Sequence, residues 1–362
     1  MTATHPQFSP HHRTRAPRVA IVGATGAVGQ EFLRVLEQRR FPMSEVRLLA
    51  SARSAGKTYA FQSDQLTVEE LALDSFSGVD LALFSAGGSI SKQYAQAAVD
   101  AGAMVVDNSS AFRMTDGVPL VVPEVNPEAI SQANIGLGEG HAPGIIANPN
   151  CSTIIMLVAV HPLHRAAKVR RIVVSTYQAA SGAGAAAMAE LEQQTRQVLA
   201  GEKPTCDIFP QQYAFNLFSH NSPMQANGYN QEELKMVNES HKIWGQSPEE
   251  QTAITATCIR VPVMRAHAES INLTFEEPIT EQQARDLITS APGVSLMDDP
   301  EANRFPTPLD ASHRDDVLVG RIRRDLSQPE GSGLDLFVCG DQVRKGAALN
   351  AVQIAELLLD QS

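Results

Sequence analysis

Among the residue types that can do covalent chemistry, Cys151 stands in the most suggestive place. It follows the turn Asn148-Pro149-Asn150 and opens a run to His164 that is apolar on most faces and reads as a helix. A helix N-terminus favours a thiolate, the reactive form of cysteine. The same position suits an inert buried cysteine, so placement alone leaves both readings open. Other side chains could accompany it. Arg260 lies in an apolar strand, Thr257 to Val263, where a charge is costly unless paired. Arg113 lies in a polar loop after a strand, where a guanidinium can grip a phosphate with two bonds or simply face solvent. His267 is a lone histidine, a type that fills core positions as readily as it moves protons. Glu232 and Lys235 are three apart on a predicted helix, a spacing that also makes an ordinary surface pair.

A second constellation is the run Gly23-Ala-Thr-Gly-Ala-Val-Gly29. It joins a short strand, Arg18 to Val22, to a helix over Gln30 to Arg40 that Pro42 stops; Val46 to Ala50 is the next strand. Strand, glycine turn, helix and strand make a βαβ unit with a parallel sheet. Glycines there let a phosphate approach free N–H groups at the positive end of the helix dipole. The spacing is G-x-x-G-x-x-G rather than G-x-G-x-x-G, so its place in the unit, more than its pattern, points to a dinucleotide. An NAD site carries Asp or Glu at the end of the second strand. This chain has Ser51-Ala-Arg-Ser-Ala-Gly-Lys57 there. Arg53 with the hydroxyls of Ser51 and Ser54 suits a 2′-phosphate, so NADP is expected over NAD.

The elements that must position these groups fall into two kinds. Strands at Asp80 to Phe84 and Met104 to Asp107, with a helix over Lys92 to Ala101 closed by Gly102, continue an alternation that runs to about Asn148. That is the signature of a doubly wound α/β domain. After Cys151 the pattern changes to strands at Arg171 to Gln178, Ala253 to Val263 and Glu269 to Glu276, with a helix inside Ser181 to Val198. Segregated strands and helices suggest an α+β domain. Ala347 to Leu359 reads as a strongly amphipathic helix. A chain of 362 residues, 43% apolar, suits two such domains.

Composition narrows the class. A formal charge of −11 argues against nucleic acid as a partner. A small anionic substrate would need a local cluster of cations inside this acidic shell. Cys151, Cys206, Cys258 and Cys339 are widely spaced, which speaks against structural zinc and against a disulfide scaffold. The last three read as small core residues, and no metal site is expected. No apolar run is long enough to span a membrane. Met1 to Pro17 is polar, lacks a secretion segment and reads as a disordered tail.

Six blocks in order then carry a resemblance: Gly23 to Gly29, Asp107-Asn-Ser-Ser-Ala-Phe-Arg113, Asn148-Pro-Asn-Cys-Ser-Thr153, Tyr177-Gln-Ala-Ala-Ser-Gly-Ala-Gly184, Cys258-Ile-Arg-Val-Pro-Val263, and Arg344 to Glu356. Together they resemble the aspartate-semialdehyde dehydrogenases over nearly all of the chain from Arg18. The resemblance implies a cytoplasmic enzyme of amino-acid biosynthesis, on the route to lysine, threonine, methionine and isoleucine. It implies reduction of 4-aspartyl phosphate by NADPH to aspartate 4-semialdehyde and inorganic phosphate, and a homodimer. It implies Cys151 as nucleophile, His267 as acid–base and Gln178 as the amide positioning the thiol-bound intermediate, with backbone N–H groups at the Cys151 helix start serving the tetrahedral oxygen. Arg260 then holds the substrate carboxylate and Glu232, or its neighbour Glu233, the amino group. Arg113 and Lys235 bind phosphate. Gly23, Thr25, Gly26, Ala27, Val28, Gly29, Ser51, Arg53, Ser54, Ser181, Gly182, Gly184 and Asn350 are implied on the cofactor side. The expected organisation is a tail over 1–17, a Rossmann-type NADP domain over 18–149 and 345–362, and a catalytic and dimerisation domain over 150–344. The alternatives are an N-acetyl-glutamyl-phosphate reductase-like enzyme and a catalytically dead cofactor-binding regulator. Gly340-Asp-Gln342 departs from the family, which more often has Asp-Asn, as does Ser312-His-Arg314.

Overall fold

A computed structural model of the chain describes residues 16–137 and 140–360. All but the last two residues of the expected tail lie outside them. Two seven-stranded sheets organise the rest. The first contains β1 (Arg18–Val22), β2 (Glu45–Ala50), β3 (Thr58–Phe61), β4 (Asp64–Glu70), β5 (Leu81–Phe84), β6 (Met104–Asp107) and β7 (Ile145–Ala147). The second contains β8 (Val169–Gln178), β9 (Phe218–Ser219), β10 (Ala253–Arg260), β11 (His267–Phe275), β12 (Val294–Leu296), β13 (Val317–Arg324) and β14 (Gly333–Gly340). The helices are α1 (Ala27–Gln38), α2 (Gly88–Asp100), α3 (Glu128–Gln132), α4 (Cys151–Ala167), α5 (Ala185–Leu199), α6 (Gln231–Ile243), α7 (Glu281–Ser290), α8 (Pro308–Ala311) and α9 (Leu349–Asp360).

In the first sheet the order is β3-β4-β2-β1-β5-β6-β7, parallel except for β3, which pairs antiparallel with β4. The strand order reverses between β1 and β5, which opens a crevice at the carboxyl ends of those strands. Phe32 and Leu36 of α1 and Val352 and Ile354 of α9 cover one face, while Ala95 and Ala98 of α2 cover the other. The Rossmann-type expectation is met. The second sheet, β12-β13-β14-β11-β8-β10-β9, is mixed, and α4, α6 and α7 pack into its core. Ile154 to Val160 of α4 are buried without a break, so this helix is apolar all round because it is enclosed. No helix among the described residues is long and apolar enough to cross a membrane.

Several expected boundaries move, each for a local reason. α1 begins at Ala27, so Gly29 lies inside the helix; a Cβ there would stand 2.3 Å from the Gly23 carbonyl oxygen. α2 starts at Gly88, ahead of the Lys92 expected. β10 stops at Arg260, because Val263 N–H turns back onto the Val261 carbonyl around Pro262. Arg260 is therefore the last strand residue and not an interior one. β11 begins at His267, two residues earlier than expected, which puts the imidazole on a central strand. α9 does not present an amphipathic face: eight of its twelve residues are buried, and its buried polar side chains are bonded within the protein. Asn350 bonds Asn148 and Glu356 bonds Arg39. A π-helical turn, Arg344–Ala348, precedes it. Cys258 and Cys339 are core residues as expected, but Cys206 is exposed.

The two sheets are joined by a buried ion cluster centred on Glu31 of α1. Its carboxylate meets Arg265 and Arg344, each at 3.1 Å, and Arg265 continues to Asp341 at 2.7 Å. Burial opposes ionisation of Glu31, yet the arginines hold its carboxyl below the usual range. Removing one member of such a cluster strands the others away from water. Glu31→Ala is expected to lower unfolding free energy by about 3–5 kcal/mol in denaturant titration; a loss below about 1 kcal/mol would mean the cluster is not a structural joint.

Candidate active site

The crevice of the first sheet faces the top of the second across one cavity of about 400 Å³. Val28, Ser85, Gly87 and Asn108 to Ser110 line it from one side; Cys151, Gln178, His267, Arg260, Glu232 and Lys235 line it from the other.

Cys151 is the first residue of α4, and Asn150 is the cap. Every polar group of Asn150 is engaged. Its side-chain oxygen accepts from the N–H groups of Ser152 and Thr153, at 3.1 and 3.3 Å. Its amide nitrogen donates to Glu232 at 2.8 Å, and its backbone N–H donates to Glu239 at 2.6 Å. The Ser152 and Thr153 donors expected to serve a tetrahedral oxygen are thus spent on the cap. Of the donors at this helix start, the Cys151 N–H remains.

Glu232 is nearly buried and accepts from Asn150 and Gln178 on one oxygen and from Lys235, at 2.9 Å, on the other. Burial works against its charge, but Lys235 and the Asn150 amide hold the carboxyl far below its ordinary value. Glu233 is committed elsewhere: it closes a capping box with Asn230 and accepts from Cys258 N–H. Only Glu232 of the two lines the cavity. Gln178 donates to Ser152 Oγ at 2.9 Å, which fixes its amide beside the nucleophile.

Arg113 is buried, not a surface side chain. It donates to Glu239 at 3.1 Å and to the carbonyls of Asn148 and Asn108, which leaves two of a guanidinium's five donors for the cavity. Arg260 is 4% exposed and makes no ion pair among the described residues. Its nitrogens lie 3.2 Å from the Ala179 carbonyl oxygen, 2.8 Å from His220 Nε2 and, distantly, near Asn221. A buried cation without a direct ion pair, open to a cavity, suits an anion.

His267 is fully buried, and its Nδ1 accepts from Ala179 N–H at 3.0 Å. The proton of the neutral ring therefore sits on Nε2, which has no partner among the described residues. Burial, then Arg260, push its pKa down to about 3, so it stays neutral and offers an N–H. Gly182 packs against this ring and Arg260; a Cβ there would approach both within 3.2 Å. Burial and the Glu232 carboxylate push the Cys151 thiol up to about 12, against the pull of Arg113, Lys235 and Arg260. Burial and the carboxylate thus oppose the thiolate that the helix start and the three cations favour. The helix start itself offers less than it would uncapped, because Asn150 takes the Ser152 and Thr153 N–H groups.

Of the cofactor-side residues, Val28, Ser181 and Gly182 line this cavity. Gly23, Thr25, Gly26, Ala27 and Gly29 form the loop and helix start behind Val28, and no side chain caps α1. Ser51, Arg53 and Ser54 lie apart, in a short turn after β2 with Arg53 exposed and free of ion pairs among the described residues. Gly184 caps α5 away from the cavity. Asn350 is not in it either: fully buried, it donates to Val121 and Asn148 and braces the turn before Cys151.

Sequence reasoning missed several residues. Glu239 lies seven residues after Glu232, on the same face of α6, and that period could have found it. Gly346 was read only as part of a block, yet a Cβ there would meet Cys151 Cβ at 2.7 Å. Gln342, noted only as a departure, bridges Ser181 Oγ and Ala266 N–H. His220 stands by a two-residue strand and carried no signal.

Comparison with known proteins adds independent findings. A family model described as semialdehyde dehydrogenase, NAD binding domain, matches residues 18–133, and one described as semialdehyde dehydrogenase, dimerisation domain, matches 160–345. The chain is similar to the aspartate-semialdehyde dehydrogenase of Synechocystis sp., 56% identical over 95% of this chain and 98% of that one. Among solved structures it is similar to aspartate semialdehyde dehydrogenase II complexed with ASA from Vibrio cholerae, with TM-score 0.89 and 46% identity over 95% of this chain and 98% of that one. Aspartate semialdehyde dehydrogenase with NADP from Candida albicans gives TM-score 0.72 and 26% identity over 95% and 98%.

The raised thiol has a direct consequence. Alkylation of Cys151 by iodoacetamide in the substrate-free protein is expected to rise about tenfold per pH unit from 7 to 10, because only thiolate reacts. A plateau reached below pH 8 would show a thiolate at rest.

Proposed function

The chain belongs to the aspartate-semialdehyde dehydrogenase family, and from that premise we propose that it reduces 4-aspartyl phosphate with NADPH to L-aspartate 4-semialdehyde and inorganic phosphate. The observation that carries this reading is the single cavity in which Cys151 meets Val28 of the glycine loop and the cations Arg113, Lys235 and Arg260. The reaction belongs to the biosynthesis of lysine, threonine, methionine and isoleucine. A cytoplasmic location and a homodimer complete the proposal, supported by the family and by its dimerisation-domain match. The proposed division is a cofactor unit of 18–149 with 345–362, supported by the packing of α9 on α1, and a catalytic unit of 150–344.

The chain fits the cofactor at the glycine loop. Gly23 adopts φ +84° against the backbone of Ser85 and Ala86, and Gly29 lets the first turn of α1 close onto the Gly23 carbonyl, so the uncapped N–H groups of that turn are open to a phosphate. Arg53, Ser51 and Ser54 receive the 2′-phosphate. When bound there, NADPH supplies the hydride that takes a thioester to the aldehyde level.

The residues of the chain do the rest. Arg260 receives the substrate carboxylate and Glu232 its amino group, which fixes the acyl carbon before Cys151. The Cys151 Sγ–carbon bond forms as the carbon–oxygen bond to phosphate breaks. The thiol proton leaves on the phosphate, so atoms and charge balance. The two spare donors of Arg113, with Lys235, receive that phosphate. The oxygen that gains charge in between takes the His267 Nε2–H and the Cys151 N–H. His267 thus acts first as a donor, since Nε2 cannot accept a proton while Ala179 N–H holds Nδ1.

Purified protein given aspartate semialdehyde and NADP should form NADPH only when phosphate or arsenate is present, and Cys151→Ala should abolish this while NADPH binding persists. Equal rates without either anion would refute the phosphorylating route. Arg53→Ala is expected to weaken NADPH binding by about tenfold or more and to leave NADH binding unchanged; equal loss for both cofactors would remove Arg53 from the 2′-phosphate site.

A further inference from the structure

We infer that His220 is a second anchor for the substrate's carboxylate, donating its Nε2–H to the same anion that Arg260 receives. The inference rests on the carboxylate role proposed for Arg260.

The geometry around the imidazole makes the case. His220 is fixed at both ends: its backbone N–H donates to the Cys258 carbonyl at 2.8 Å, and its Nδ1 accepts from Ser222 N–H at 3.1 Å. Its Nε2 lies 2.8 Å from Arg260 Nη2. Backbone N–H and guanidinium N–H are obligate donors, and a neutral imidazole has a single ring nitrogen with a lone pair to offer. Burial pushes the ring's pKa down to about 4, with Glu232 opposing and Arg260 and Lys235 reinforcing, so the ring is neutral. One of the two contacts is therefore a donor facing a donor. Ser222 N–H is backbone in a tight turn and holds Nδ1, so the ring proton belongs on Nε2. The mismatch then falls on the long Arg260 side chain, which has no carboxylate partner among the described residues to draw it away.

Two donors at contact distance on a buried cation with no direct ion pair among the described residues describe an anion site. Both residues line the cavity that holds Cys151. A carboxylate entering between them takes one N–H from each and converts a repulsive contact into two charge-assisted bonds. The uncharged imidazole adds a directional bond without further positive charge near Lys235, and thereby helps select a carboxylate over a neutral end group.

The test pairs enzyme variants with a substrate lacking the carboxylate. His220→Met keeps length without a donor, and His220→Gln returns an N–H near the ε position. With aspartate semialdehyde, phosphate and NADP, His220→Met is expected to raise KM about tenfold, the worth of a bond to a charged group, with kcat changed far less. His220→Gln is expected to recover most of that loss. With 3-aminopropanal, tested as substrate or as competitive inhibitor, wild type and His220→Met should agree within about twofold. Equal losses on both molecules would make His220 a structural support, and no loss on either would overturn the inference. If wild type itself fails to turn over aspartate semialdehyde, the proposed function fails instead, which is a distinguishable result.

Discussion

Asn150 is the joint on which the site depends. One residue caps α4, ties Glu232 through its amide, and ties Glu239 through its backbone. Both carboxylates come from α6, so the nucleophile's helix and the helix carrying Lys235 cannot shift independently. Glu239 in turn holds Arg113 and, through it, the loop after β6 of the first sheet. Burial alone would drive Glu239 toward its protonated form, and its pKa is raised, with Arg113 and the Asn150 N–H opposing. A buried carboxylate set between two donors in this way is costly to disturb, since losing a partner leaves a charge without water.

The same arrangement sets the opposing influences on the thiol. Capping takes the donors that would have stabilised a thiolate, and Glu232 adds a negative charge nearby. The cavity also gathers positive charge near the thiol, in Arg113, Lys235 and Arg260. A protein with a net charge of −11 places its few cavity cations where the paired and backbone-bonded ones shape the site and Arg260 is left for the ligand.

Much of this was legible in the chain itself. The strand–glycine–helix junction at Gly23 to Gly29 placed the cofactor unit, because its periodicities are local. Cys151, Gln178, Arg260, Glu232 and Lys235 do converge on one cavity, although residues 113 to 267 are far apart in sequence. What could not be read was whatever depends on the second layer. Whether Glu232 or Glu233 faces inward is set by the helix cap at Asn230. The tautomer of His267 is set by Ala179, a residue with no side-chain chemistry. Asn350 looked like a cofactor contact, yet it braces Asn148. That Asn150 takes the Ser152 and Thr153 N–H groups at the start of α4 is likewise a feature of the folded turn.

The central claim is a covalent route through Cys151. Intact-mass and peptide mass spectrometry of the protein, acid-quenched after mixing with 4-aspartyl phosphate in the absence of NADPH, tests it most directly. An aspartyl adduct on the Cys151 peptide, absent from the Cys151→Ala protein, is the expected result. Turnover-competent protein that never carries such an adduct, or carries it on another cysteine, would contradict the account.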